Sequence, residues 1–283
     1  MAKIAILTDS TAYLDEAYTK KHNIRVIPLN LHWDEDTFKD NVDITANEFY
    51  TRLSKSSTLP TTSQPSAGEF EELYIKLGKD YDSVVVALIS SGISGTVDSA
   101  LMAQKTTKDV KVEVIDTKTT AGGLALVVKA IAAAVESGKS AKESAAIAHK
   151  VVNTMSIYFV VDTLKYLHKG GRIGGASRFF GTALEIKPIL YLNDEGKIDA
   201  LEKVRTKKKA HQRLFDLVSE KAAGKKCRIA IMHAQNPKDA VAMREKLEYA
   251  LDCTEMGVYE ISPVIGTHTG EGTLGVSVHT VEY

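Results

Sequence analysis

Four side chains define the chemistry open to this sequence: Thr62, Ser94, Arg172 and His268, each in a stretch crowded with hydroxyls or glycines. Ser94 lies in Ser90-Ser91-Gly92-Ile93-Ser94-Gly95-Thr96, after an apolar run at 84–89 and before a helical pattern that opens at Val97. The start of a helix carries unpaired N–H groups and partial positive charge, which attract a carboxylate or a phosphate. Thr62 and Ser63 sit in a hydroxyl-rich loop, residues 54–66, stiffened by Pro60 and Pro65. Arg172 follows Gly171 in Lys169-Gly170-Gly171-Arg172-Ile173-Gly174-Gly175, where glycines let the backbone come close while a guanidinium is held over a ligand. Thr62 and Ser94 are neutral donors, Arg172 a fixed cation, and His268 a donor whose charge changes near neutral pH. Such a set grips a carboxylate through charge-assisted hydrogen bonds without reacting with it. Taken singly, each has a plainer reading: an N-cap, a solvated connector, a surface arginine, a loop histidine.

Reactive alternatives have weaker support. Ser91-Gly92-Ile93-Ser94-Gly95 departs from G-x-S-x-G at its first position, and neither His268 nor His233 has an acid partner at telling spacing. An acyl- or phosphoryl-transfer enzyme using Ser94 or His268 is the competing expectation. A P-loop, an H-E-x-x-H pair and an EF-hand loop are all lacking from the sequence, and no metal is expected.

The elements that must position these residues alternate. Apolar runs at 4–7, 84–89 and 110–115 read as buried strands, each ending in a polar turn: Thr8-Asp9-Ser10-Thr11, Ser90 to Thr96, and Asp116-Thr117-Lys118-Thr119-Thr120. A further strand is expected at 23–29, and 31–43 reads as a turn-rich connection. Helices are expected from Thr45, over 68–77 and from Val97. Another follows residue 120 with Leu124, Val127, Val128, Ile131 and Val135 on one face, and a fifth pattern covers 141–153. Strand, polar turn, helix, repeated, predicts a mostly parallel sheet flanked by helices, with ligands off the carboxyl ends of the strands.

From about residue 155 the pattern changes. Strands at 156–161, 189–192 and 198–204, with Asn193-Asp194-Glu195-Gly196 as a hairpin turn, precede a helix to Ala223 and strands at 227–233, 258–261 and 274–281. Phe179, Phe180, Leu184 and Ile186 form an apolar segment, and 262–270, with Thr267 and His268, reads as a loop. The expected architecture is therefore α/β, with an N-terminal α/β domain at 1–154 and a C-terminal α+β domain at 155–283.

Composition narrows the partners. The chain has 283 residues, with Lys plus Arg and Asp plus Glu both 36. Zero net charge argues against nucleic acid held on a basic surface and against strong global attraction to an anionic membrane. Arg205-Thr206-Lys207-Lys208-Lys209 puts cations at the start of a helix, the wrong end for them, and reads as a solvated face or a contact for an acidic partner. Transient membrane contact stays open. The N-terminus reads as a strand rather than a signal peptide, so a cytoplasmic location is expected. Cys227 and Cys253 lack C-x-x-C spacing and imply neither zinc nor a disulfide framework.

Thr8-Asp9-Ser10-Thr11, Thr62-Ser63-Gln64-Pro65, Ser90 to Thr96, Lys169 to Gly174, Leu201 to Lys208 and Pro263-Val264-Ile265-Gly266-Thr267-His268-Thr269-Gly270 resemble, in order, the signature blocks of the DegV family. The resemblance implies a bacterial fatty-acid-binding protein, the FakB component of fatty acid kinase, with a long-chain fatty acid in an apolar tunnel between two domains. It implies a carboxylate held by Thr62, Ser94, Arg172 and His268, with Ser63, Gly95, Thr96, Gly171 and Thr267 supporting. A partner kinase then supplies ATP and makes the acyl phosphate for phospholipid synthesis; this chain is not itself the enzyme and needs no cofactor. A lipid-sensing regulatory module is a third reading. Three positions depart from the family pattern: Ile93 replaces Leu, Val97 an aromatic, and Tyr13 an acid.

Overall fold

The structure, a computed structural model, describes residues 3–181 and 186–281; Leu184 of the apolar segment lies outside them. The first half runs β1 (Ile4–Asp9), α1 (Glu16–Lys21), β2 (Ile24–Ile27), β3 (Asn30–Trp33), β4 (Asp36–Lys39), α2 (Ala46–Leu53), β5 (Thr61–Ser63), α3 (Ala67–Gly78), β6 (Ser83–Leu88), α4 (Thr96–Thr106), β7 (Lys111–Asp116), α5 (Ala121–Glu136) and α6 (Ala141–Thr154). The second runs β8 (Met155–Val160), α7 (Lys165–Lys169), β9 (Lys187–Leu192), β10 (Ile198–Val204), α8 (Lys207–Ala222), β11 (Cys227–His233), α9 (Pro237–Ala250), β12 (Cys253–Glu260), α10 (Pro263–Thr269) and β13 (Leu274–Thr280).

The described residues form three sheets. One is fully parallel, in the order β2-β1-β6-β7. Its central strand β6 is buried along its whole length, as a near-continuous run of β-branched residues between two helix layers requires. Phe70, Tyr74 and Leu77 of α3 and Ala100 and Ala103 of α4 cover one face; α5 and α6 cover the other. The six-stranded sheet, β10-β9-β8-β13-β11-β12, pairs antiparallel except at β11–β12. Leu214, Val218, Met243 and Leu247 of α8 and α9 pack on its outer face. Capping boxes start α2, α3 and α6, where Thr45, Ser66 and Ser140 pair with Glu48, Glu69 and Glu143.

Helix α5 is buried nearly all round, not along one stripe. Leu124 and Val127 face the parallel sheet while Ala121 and Leu126 join Ile157, Ala230 and Met232 of the other sheet. A helix apolar on every side belongs in a core, and this one serves two sheets. Gly122 permits the approach, because a Cβ there would fall 2.7 Å from Met232 Sδ.

Two expected loops are ordered elements. Residues 31–43 hold the β3–β4 hairpin, where Leu31 and Trp33 are buried and alternate with Asn30 and His32; β5 adds a third antiparallel strand. Pro263–Thr269 is α10, opened by Ser262 and Pro263. Cys227 and Cys253, unrelated by spacing, are register partners with their Sγ atoms 3.3 Å apart as free thiols.

Candidate functional site

The carboxyl ends of the parallel strands do share one edge, and carboxylates clamp them together. Buried Asp9 at the end of β1 accepts from Thr11 N and Oγ1 and, through Oδ2, from Ile89 N at 2.7 Å. Asp116 at the end of β7 accepts from Ser91 N and Oγ. These acids are spent on backbone and hydroxyl donors. The Ser90–Gly95 turn is held from outside by the β9–β10 hairpin tip: Ser90 Oγ donates to Gly196 O at 2.8 Å, and a Cβ on Gly92 would strike the Gly196 backbone.

Behind this edge lies a cavity between the parallel and six-stranded sheets, partly open to the outside. Its wall is mostly apolar: Leu29, Ile89 and Ile93 from the first half, Ile157, Phe159, Leu192, Ile198 and Met232 from the six-stranded sheet and its hairpin, and Ile261, Val264 and Ile265 around α10. Thr62, Ser63, Gln64, Ser94, Arg172 and His268 line the same space. The lining suits a largely hydrocarbon ligand with one polar end.

Thr62 on β5 and His268 in the last turn of α10 meet directly, Oγ1 to Nε2 at 2.8 Å. His268 Nδ1 is buried with no hydrogen-bond partner among the described residues, and it packs on Gly170, where any Cβ would collide with it. Burial pushes the imidazole down to about 4, helped by the charge of Arg172. This corrects the expectation of a charge change near neutral pH: His268 is neutral there, and Arg172 carries the positive charge.

Arg172 is fixed by backbone. Its Nε donates to Ile93 O at 3.2 Å and its Nη1 to Gly170 O at 2.9 Å, while Nη2 bonds to no described residue. Gly171, at φ +70, turns the chain so that Arg172 reaches inward; a Cβ there would meet nothing. Ser94 Oγ lies 2.8 Å from Thr96 Oγ1, and among the described residues it is hydrogen-bonded to no histidine or carboxylate that would serve as its base. Gly95 lets the Gln64 side chain close over the turn. Thr267, expected as a supporting residue, spends its hydroxyl on Pro263 O inside α10 and does not line the cavity.

The polar end opens outward. Ile93, Ser94, Arg172 and Ile198 also line a surface recess with Gly92, Gly95, Gly171, Gly174 and Lys197. Lys207 pairs with Asp239 at 2.7 Å, and the Lys207–Lys209 recess shares no residue with the cavity. Of the three departing positions, Ile93 lines the cavity and Val97, in the first turn of α4, is buried in the core on the parallel sheet. Tyr13 accepts from Ser262 N at 3.0 Å and so ties the first polar turn to the start of α10.

Sequence reasoning missed Asp40. Buried at the end of the β3–β4 hairpin, it accepts from Ser10 Oγ and from Val264 N, so it anchors the helix that carries His268. Burial raises its carboxyl to about 6. The apolar wall was missed too, although β8 carries the signal: Ile157 and Phe159 alternate with Tyr158 and Val160. Among the described residues no cluster of His, Cys, Asp or Glu is placed to hold a metal, and no helix is long and apolar enough to cross a membrane.

Comparison with known proteins agrees with this architecture. The family described as DegV, uncharacterised protein, matches residues 3–281. The chain is 37% identical over 275 residues to the DegV protein of Bacillus subtilis, covering 96% of this chain and 98% of that one. Among solved structures it resembles a DegV family protein from Thermus thermophilus described as binding fatty acid, at 32% identity and TM-score 0.93, covering 99% of this chain and all of the other (100%). The fatty-acid-binding DegV of Bacillus subtilis superposes with TM-score 0.91 at 34% identity, over 99% and 100% of the two chains. The chain belongs to the DegV family.

Proposed function

We propose that this protein carries one long-chain fatty acid, its acyl chain in the cavity and its carboxylate at Thr62, Ser94, Arg172 and His268. One observation carries the reading: a mostly apolar cavity has these four polar groups together in its lining, and Ser94 and Arg172 also line an outward recess. Each buried methylene contributes about 0.8 kcal/mol, so the tail supplies most of the affinity. The polar groups decide which end faces out. The fatty-acid-binding relatives support the substrate class.

The outward carboxylate suits presentation to a separate ATP-dependent kinase that forms the acyl phosphate, with this chain as the substrate-binding subunit in the cytoplasm. The engagement of His268 with Thr62 rather than Ser94 favours this over an enzyme of its own. Native mass spectrometry and lipid extraction of the recombinant protein test the carrier role; a protein that takes up no fatty acid when offered it overturns it. Capture of a kinase that phosphorylates the bound acid tests the presenting role. Stable lipid binding without such a kinase favours a lipid-sensing module.

A further inference from the structure

The cavity wall contains a polar feature that carboxylate binding does not use. Thr120 lines the cavity, is 8% exposed, and its Oγ1 has no hydrogen-bond partner among the described residues. It stands at the N-cap of α5, yet its hydroxyl does not cap that helix. The next residue, Ala121, also lines the cavity and holds φ +55, a left-handed conformation that is costly for a residue with a Cβ. Ala121 and Gly122 open α5, so their N–H groups have no partner within the helix. Sixteen residues of aligned peptide dipoles therefore end at the cavity wall beside an unpaired, buried hydroxyl.

An unsatisfied hydroxyl buried at an apolar wall is expensive unless something in the cavity pairs with it. A plain hydrocarbon chain has nothing to offer. We infer that Thr120 and the first turn of α5 form a second polar subsite, which takes a hydroxyl group borne on the acyl chain of the ligand. A hydroxyl fits this set because it accepts from the helix N–H groups and exchanges a hydrogen bond with Thr120. The subsite lies toward the carboxylate end: Ser90 N donates to Thr119 O at 2.8 Å, and Ser94 N donates to Ser90 O at 3.1 Å. The preferred hydroxyl position is thus on the half of the chain nearer the carboxylate. This inference rests on the fatty-acid-carrier reading and specifies its ligand.

The test compares stearate with stearates hydroxylated at successive carbons between the carboxylate and mid-chain. Calorimetry is run on the wild type, Thr120→Val and Thr120→Ser. Valine is nearly isosteric and removes a hydroxyl that makes no protein contact, so both variants should fold. The expected result is one positional isomer whose affinity relative to stearate falls roughly three- to tenfold in Thr120→Val and recovers in Thr120→Ser, as one ordinary hydrogen bond requires. If stearate binds but no isomer shows a ratio that depends on Thr120, the subsite is overturned and the carrier reading stands. If neither stearate nor any isomer binds the wild type, both fall.

Discussion

Thr62 Oγ1 and His268 Nε2 lie 2.8 Å apart although 206 positions separate them in the chain. The contact fixes more than a distance. In the tautomer with the proton on Nε2, the imidazole donates to Thr62, and the threonine hydroxyl proton is then free for a carboxylate. Nδ1 is left as a bare lone pair against Gly170, where no donor is needed. His268 on this view orients Thr62, while Arg172 supplies the charge.

The burial of His268 sets a pH signature. Its imidazole titrates at about 4 when folded, against an ordinary 6.5, so between these values the unfolded chain binds more protons. Stability from this group is complete above pH 6.5 and is lost as pH falls toward 4, by at most about 3 kcal/mol. Asp40 has the opposite sign: its carboxyl is raised to about 6 from 3.8, so its contribution falls as pH rises through that window. Urea unfolding of wild type and His268→Gln from pH 7 to 4 separates the two. The advantage of the wild type should shrink on acidification; a constant difference would show that His268 titrates normally.

Arg172→Ala should weaken binding of a fatty acid by roughly tenfold or more, the value of a charge-assisted hydrogen bond, and leave a fatty alcohol of equal length much less affected. With the proposed partner kinase, it should impair phosphoryl transfer more than tail burial. Arg172→Lys should not rescue it, because the two backbone carbonyls that fix the guanidinium engage different nitrogens. Calorimetry with the matched acid and alcohol reads this out; equal losses for both would remove the role.

Two adjacent glycines should fail for different reasons. Gly170→Ala places a methyl against His268 Nδ1, so it should lower carboxylate affinity as well as the melting temperature. Gly171→Ala meets no atom but must hold φ +70, so it should cost about 1 kcal/mol of stability. Thermal melts beside binding isotherms distinguish collision from strain.

Gly275→Val acts on chain length. Its Cβ would come 3.0 Å from Met232 Cε and 3.2 Å from Phe159 Cβ, and both residues line the cavity. The methionine end is the flexible partner and should be pushed into the cavity. Affinity for long acyl chains should fall more than affinity for shorter ones in a chain-length series; an unchanged preference would place the chain elsewhere.

Much of this was readable in the residues. The βα rhythm and the shared strand edge follow from local spacing, since each polar turn there ends a recognisable strand, whereas the four polar positions are singled out by the resemblance to the DegV signature blocks. The hairpin at Leu31 and Trp33 was hidden because its alternation is only four residues long and lies among charged residues. Helix α10 was hidden by its glycine and β-branched residues, and is held in place by the remote Asp40 carboxylate. The cavity wall needs to know which face of β8 turns inward, and that depends on α5 packing from the other half of the chain.

Helix α5 also bears on how cargo can enter. It is the floor of one sheet and the ceiling of another, and Lys129 near its middle is paired with Glu255 of β12 at 2.6 Å. Swinging the two sheets apart like a hinged shell would strip this helix of one entire apolar side. Loading and release should therefore be local events at the rim around Gly171 and Arg172, with the rest of the molecule rigid. Hydrogen exchange with and without bound lipid should show protection changing at that rim and staying constant along α5.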